Sequence, residues 1–374
     1  MSFSALFDHK IYQKSSKICL LCNQTSYDFG KKRYLFDLIA DEGKLHCLLL
    51  PEHGLFSEIQ DQENVDDVRY RGVQCYSLYN KRMKVTGAEK YMAQGCDLVV
   101  IDIFDVGVRY YTYSTHMFGL LRMLDTYYAG MPVMIIDRIN PAGTRIEGTI
   151  IQEEYTSFLG ASGMIHRHGM STGQLCRWHI KSNKLSINIH DVTFDTKYFQ
   201  FIMPSPNLPS SESLMVYPGQ CFWEATTLSE GRGTTRPFEI FGHPDLTVEK
   251  AEQISQMFNQ KILKLAFLRP IKFIPVYHKH KDKTCTGWQL SIQNHLKYHC
   301  IFGTLTLMRW VNEMMGYGAF WRQGPYEFDS NATAAQLLIG DDDLIAYVNG
   351  IMEEEEVKKK LHKSEEDWRN GLLS

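Results

Sequence analysis

Glu52 and His53 stand side by side in LLPEHGLF (residues 49–56), where an apolar run stops at a proline and turns on a glycine. The preceding KLHCLLL has the composition of a buried strand. Pro51 breaks the ladder, and Gly54 permits the tight bend that follows. A carboxyl and an imidazole therefore sit where a buried element ends, and in a parallel α/β sheet that rim is where ligands bind. Two further apolar runs end in the same way, DLVVIDIFDVG at 97–107 and MPVMIIDRINP at 131–141. Three such endings point to a polar cleft along one edge of a sheet.

Two carboxyl groups flanking a cleft are the minimum kit for glycoside hydrolysis. One of them must be protonated near neutral pH, which burial among apolar neighbours favours. Glu52 has such neighbours in Leu48, Leu49 and Leu50 before it and Leu55 and Phe56 after it. The competing reading is a glutamate that pairs with Arg109 or caps a helix. Other carboxylates at loop or strand ends are Asp102, Asp105, Asp137, Glu147, Glu224, Glu230 and Glu239, with histidines His116, His166 and His168 in similar places. In DVGVRYYTYST, Arg109 precedes Tyr110, Tyr111 and Tyr113. An arginine fork beside aromatic faces suits a sugar that carries a carboxylate; the alternative is a helix start with its tyrosines in the core. SEGRGTTRP offers Gly231 and Gly233 for close backbone approach, with Arg232 and Arg236 as anion donors, against the reading of an ordinary glycine turn.

Several chemistries are excluded by pattern. No G-x-S-x-G, H-E-x-x-H, G-x-G-x-x-G or Walker A sequence is present, so no metal, nucleotide or other cofactor is expected. CLLC at 19–22 has C-x-x-C spacing, but no second pair completes a zinc site, and on a strand its two thiols face opposite sides. The nine cysteines are odd in number and scattered through apolar runs, which suits reduced buried thiols. With 40 Lys+Arg against 43 Asp+Glu, the formal charge of −3 supports neither nucleic-acid nor membrane-surface binding. No apolar stretch approaches the roughly 18 residues that span a bilayer, and the first residues do not read as a secretory leader. A cytoplasmic protein acting on a small-molecule substrate is expected, its oligomeric state unspecified.

The elements that would position these groups alternate. KICLLCN, KLHCLLL, DLVVID and MPVMIID read as strands; KKRYLFDLIADEG, GAEKYMAQGC and residues 112–129 read as helices between them. Strands alternating with helices predict an α/β fold with a parallel sheet. Ser171 and Gln174 have capping-box spacing before LCRWHIKS. Residues 201–244, rich in Pro, Gly, Ser and Thr, read as one long functional loop. Beyond them, TVEKAEQISQMFNQKIL and TLTLMRWVNEMMGYG read as helices, LRPIKFIPVYH and GWQLSIQN as strands, and MEEEEVKKKLHKSEEDWRN as a solvated terminal helix. A boundary near 245 would separate residues 1–245 from a smaller α+β domain at 246–374.

The motifs NQTSYDF, PEHGL, YSLY, DVGVRYYTY, DRINPAG, RHGMSTGQ, PSPNLPS, YPGQCFWE and SEGRGTTRPFE occur in an order that resembles the bacterial exo-β-N-acetylmuramidases, formerly a domain of unknown function. The resemblance covers roughly residues 17–290, with a looser continuation to the end. It implies a Rossmann-like N-terminal domain, an auxiliary C-terminal domain completing the active-site cleft, and release of N-acetylmuramic acid from non-reducing ends of peptidoglycan fragments. Glu52 matches the family's catalytic glutamate and would be the proton donor, with Glu230, Asp105 or Glu224 as second group, or the substrate's own acetamido group in its place. His53, Arg109, Tyr110, Tyr113, His168, Asn207, Tyr217, Glu224, Arg232 and Thr234 would bind substrate, with Arg109 and Arg232 holding the lactyl carboxylate. Phe104, Ile139, Phe56 and Gln174 depart from the family pattern. The alternative is a muropeptide binder that keeps the cleft and has lost turnover.

Overall fold

The computed structural model describes residues 2–79, 88–197, 200–262, 264–317, 319–327 and 329–373. Gly87, in the expected helix GAEKYMAQGC, lies outside them. The chain divides into two compact units. The first comprises Met1–Gly107, Tyr111–Gly143 and Gly169–Pro206; the second comprises Val108–Tyr110, Thr144–His168 and Asn207–Ser374.

The first unit is built on a seven-stranded sheet. Its spatial order is Ile189–Thr193, Val133–Asp137, Leu98–Asp102, Ile18–Cys22, Leu45–Leu50, Val73–Ser77 and Val68–Tyr70. All neighbours pair in parallel except the edge strand Val68–Tyr70, which runs antiparallel to Val73–Ser77. The inner strands carry continuous apolar runs because helices cover both faces of such a sheet. ICLLC and LVVID are buried at every position. The crossovers include the helices Leu35–Asp41, Tyr113–Tyr127 and Thr172–Ser182. The last is capped reciprocally by Ser171 and Gln174, as the spacing predicts. Between Cys75 and Leu98 the expected helix is a single 3₁₀ turn, Lys90–Ala93.

Counting the parallel strands in chain order, the sheet reads 3-2-1-4-5-6 from its Val73–Ser77 side. That is the doubly wound Rossmann order, in which ligands bind outside the carboxyl ends of the strands where the order reverses. The reversal falls between Ile18–Cys22 and Leu98–Asp102. The PEHG turn leaves the very next strand, Leu45–Leu50, at the same rim. Part of that rim is already neutralised. Arg138, just after Val133–Asp137, donates from Nε and Nη2 to the two carboxylate oxygens of Asp102 at 2.6 and 3.0 Å, and both residues are buried.

The second unit holds an antiparallel three-stranded sheet, Ile240–His243, Cys285–Ile292 and Ala266–Phe273, with Cys285–Ile292 in the centre. Val248–Ile262 and Cys300–Met314 are helices close to the expected bounds. Two expectations fail in this unit. The stretch 201–244 is not one loop, since it contains the helix Ser211–Gln220. Pro218 inside that helix and its serine-rich start hide the periodicity, while Ser210 and Ser213 cap it. The terminal helix Glu354–Leu373 is not solvated all round, because Val357, Leu361 and Trp368 are buried. Its Ser364 and Glu365 accept hydrogen bonds from the backbone of Ile150 and Gly148, covering the edge of the two-stranded sheet Glu147–Ile150 and Ile165–Arg167.

Candidate active site

In the first unit, Glu52 is fixed by its backbone as well as its side chain. Its N–H donates to Nε2 of His116 at 3.2 Å, and its carbonyl accepts from the Tyr113 hydroxyl at 3.3 Å. The same hydroxyl donates to the Pro204 carbonyl at 2.7 Å and accepts from Asn23 at 3.1 Å. Carboxylate oxygen Oε2 accepts from the Thr112 hydroxyl in a short hydrogen bond. Thr112 immediately precedes the helix Tyr113–Tyr127, so this helix start carries three of the groups that hold Glu52. Glu52 as a whole is 4% exposed. His53 takes φ = +73°, which the turn requires, and its ring pairs with the Ile59 carbonyl at 2.9 Å. Backbone and ring are thus both part of the turn.

Asp105 belongs to the same unit. Its Oδ1 accepts from Gly107 N at 2.6 Å in a tight turn. Gly107 has φ = +84°, and a Cβ there would lie 2.1 Å from Asn140 Nδ2, so only glycine fits. Tyr111 lies near both acids: burial first, then Tyr113 and the charges of Asp105 and Glu52, push its hydroxyl well above the usual tyrosine range. Glu52, Asp105, Tyr111, Tyr113, Thr112 and His116 thus form one buried polar group at the carboxyl ends of the strands. Thr112 was missed by sequence reasoning, which placed it inside the helix; the structure puts it one residue before.

Burial pushes His116 down to about 3, so its imidazole is neutral and accepts from Glu52 through Nε2. His179 is likewise held at about 3 by burial and Arg122, and His166 lies well below its usual range through burial and Arg109. These groups stay unprotonated in the fold while the unfolded chain takes up protons near pH 6.5. Stability is therefore full above pH 6.5 and falls as pH drops toward 3. His299 works the other way, because Glu147 and Glu365 outweigh its burial and raise it. Between pH 6.5 and 5 each depressed histidine costs about 2 kcal/mol, and three outweigh one. The unfolding midpoint should fall steadily over this window in a series of denaturant titrations; a flat profile would refute the neutral assignment.

The second unit gathers the other expected acids. Glu224 accepts from Arg232 Nη2 at 2.8 Å and, in a short hydrogen bond, from the Tyr326 hydroxyl. Glu230 pairs with His278 Nδ1 at 2.9 Å, with Lys279 Nζ at 2.9 Å and with Arg232 Nε at 3.4 Å. Burial alone would raise its carboxyl, but Lys279, His278 and Arg232 together hold it well below the usual range. Lys279 also donates to the carbonyls of Trp223, Glu224 and Leu228. His278, Lys279 and Tyr326 were absent from the sequence reading, although YHKH directly after an apolar strand was a signal for the first two.

These contacts change the expected roles of both arginines. Arg109 is wholly buried and donates to the carbonyls of Leu159, Leu337 and Leu338 at 3.0, 3.0 and 2.6 Å. Burial lowers it to about 10. A guanidinium enclosed this way ties the helix Ala334–Ile339 to the chain and does not fit a grip on a substrate carboxylate. Arg232 is committed to two buried carboxylates and does not fit that grip either. Gly231 and Gly233, at φ = +82° and +76°, admit the chain's own backbone: a Cβ would meet Ile240 O at 2.6 Å and Tyr277 N at 2.4 Å.

The remaining expected residues of this unit lie near its interior. Tyr110 donates a short hydrogen bond to the Pro218 carbonyl and meets Tyr217 edge-on, and Tyr217 meets Phe238. Thr234 donates to the Gly231 carbonyl at 2.6 Å. The His168 carbonyl accepts from Trp368, and Asn207 is buried. Of the departures from the family pattern, Phe104 is buried, whereas Ile139 is 72% exposed. Gln174 serves the helix cap.

Two descriptions match nearly the whole chain: Exo-beta-N-acetylmuramidase NamZ, N-terminal, over residues 18–212, and Exo-beta-N-acetylmuramidase NamZ, C-terminal, over residues 215–372. The chain belongs to the exo-β-N-acetylmuramidase NamZ family. It is 32% identical over 320 residues to the peptidoglycan β-N-acetylmuramidase NamZ of Bacillus subtilis, covering 82% of this chain and 75% of that one. Crystal structures of two DUF1343 family proteins from Bacteroides fragilis share the fold. One has a TM-score of 0.81 at 23% identity over 98% of this chain and 96% of that chain. The other has 0.73 at 22% over 99% and 96%. Among the described residues, no helix is long and apolar enough to cross a membrane.

Proposed function

We propose that this chain is an exo-acting glycoside hydrolase that releases N-acetylmuramic acid from the non-reducing ends of peptidoglycan fragments, with Glu52 as its general acid. The observation that carries the residue assignment is the position of Glu52. It is a buried carboxyl at the carboxyl rim of a Rossmann-ordered sheet, one strand from the reversal, held through both backbone groups and one oxygen. Membership of the NamZ family supports the substrate class.

In this mechanism Glu52 gives its proton to the glycosidic oxygen as the bond to the anomeric carbon lengthens, and takes one back when water adds. The positive charge that develops on the sugar needs a partner. Asp105 is the better of the expected candidates, because it shares the Tyr111 hydroxyl's surroundings with Glu52. Glu224 and Glu230 have their charge already spent on Arg232, Lys279 and His278. Asp105 would act on the anomeric carbon or orient the acetamido group of the sugar itself.

The placement favoured is the cytoplasm, on short fragments. All nine cysteines are thiols and most are buried, which suits a reducing compartment. A substrate panel tests these statements together. A chromogenic N-acetylmuramic acid glycoside should be cleaved, the matching N-acetylglucosamine glycoside at least tenfold more slowly, and short muropeptides faster than intact sacculi. Absence of aglycone release would leave a muropeptide binder. Equal rates on both sugars would remove the muramic acid preference, and rapid attack on sacculi would remove the fragment preference.

A further inference from the structure

The thiols of the C-x-x-C pair do face opposite sides of their strand: Cys22 lies in the apolar core with Cys75, while Cys19 turns the other way. On that other side three elements converge. Cys19 and Cys47 are register partners on adjacent parallel strands, and Cys96 lies two residues before Leu98–Asp102. The three sulfurs lie within 4.8 Å of one another, and Cys47 Sγ is 3.9 Å from Cys96 Sγ. The pattern escapes sequence spacing because its members come from three separate segments.

Three thiolates each about 2.3 Å from one ion stand about 3.8 Å apart in a tetrahedral site and about 4.0 Å apart in a trigonal one. The observed sulfur separation is already in that range, so little movement is needed to close the site. Soft thiolate sulfur selects Cu(I) and zinc over the harder divalent cations. Among the described residues, no further His, Cys, Asp or Glu side chain joins the group, which favours an ion content with three thiolates.

We propose that Cys19, Cys47 and Cys96 form a binding site for a thiophilic d10 cation, with Cu(I) in trigonal thiolate coordination as its preferred occupant. Cys19 and Cys47 are buried and Cys96 is partly exposed, so the ion enters past Cys96 and is then shielded. The Cys47 thiol donates to the Met92 carbonyl at 3.2 Å, and Cys19 Sγ lies 3.9 Å from the same oxygen. Metal binding takes the sulfurs as thiolates, and the protons they carry are displaced to solvent. The three residues lie toward the amino ends of their strands, whereas Glu52 follows the carboxyl end of its strand. The ion takes no part in glycoside cleavage.

The test uses the full chain, reduced and kept under nitrogen, with Cu(I) presented as its bicinchoninate complex. One equivalent should transfer to the protein, and alkylation of Cys96, read by mass spectrometry, should slow markedly on loading. Cys96→Ser and Cys47→Ala should each weaken binding by roughly 100-fold, whereas Cys176→Ala should not change it. Turnover on the muramic acid glycoside should be the same in Cys96→Ser as in the unaltered chain. The alkylation readout needs no variant, so misfolding of a mutant does not remove the test. Failure of copper to transfer, or full binding by Cys96→Ser, would overturn the site. Recovery of a Cys47–Cys96 disulfide from cells lysed directly into alkylating agent would overturn it in favour of a redox pair.

Discussion

Glu52→Gln should lower turnover on the N-acetylmuramic acid glycoside by about 10²–10⁴-fold, the usual contribution of a general acid. The fold should survive. Glutamine has nearly the same shape, and its amide oxygen can accept the Thr112 hydroxyl as Oε2 does now. The contacts from Glu52 N to His116 and from Tyr113 to Glu52 O involve only backbone of residue 52 and are untouched. What the amide cannot do is release a proton to a leaving oxygen. KM should therefore hold while kcat falls. A variant that keeps half of the original rate would end the assignment. Asp105→Asn measured alongside should also reduce kcat, since its carboxylate is lost without loss of the Gly107 hydrogen bond acceptor.

The sheet was readable because its strands are almost pure apolar runs, and because alternation with helices leaves few ways to connect them. ICLLC, LHCLLL, LVVID and VMIID all became strands at the expected places. Glu52 was readable for the same reason: proline and glycine mark where such a run must end. The short edge strand Val68–Tyr70 was not readable, being exposed and only three residues long. Nor was the helix Ser211–Gln220, whose proline and serines argue locally for a loop while its Leu214, Val216 and Tyr217 are buried by tertiary packing. The partners of the arginines were hidden for a different reason. Arg109 beside three tyrosines looks like a ligand clamp, but its partners are carbonyls of Leu337 and Leu338, far along the chain. Hydrogen bonds to backbone leave no trace in side-chain identity. Likewise the SEGRG motif shows an arginine between glycines, but not the His278 and Lys279 that compete for the same carboxylate.

Arg232→Met should destabilise the second unit by about 3–5 kcal/mol, the cost of removing one partner from a buried ion pair. Arg232 is 5% exposed, and its guanidinium also lies 5.1 Å from the Phe238 ring centre. Methionine keeps much of the apolar stem but withdraws the cation from Glu224 and from Glu230 together. Glu230 retains Lys279 and His278, so most of the cost should fall on Glu224. Adding Glu224→Gln to Arg232→Met should then recover part of the loss, since replacing both ends of a buried pair costs less than replacing one. Denaturant titration of the single and double variants reads this directly. The same proteins test the discarded grip on the lactyl carboxylate. If Arg232 also held that group, Arg232→Met would lose the preference for N-acetylmuramic acid over N-acetylglucosamine as well as stability. With Arg232 occupied by two carboxylates, the expected outcome is lower stability with the sugar preference retained in the molecules that remain folded.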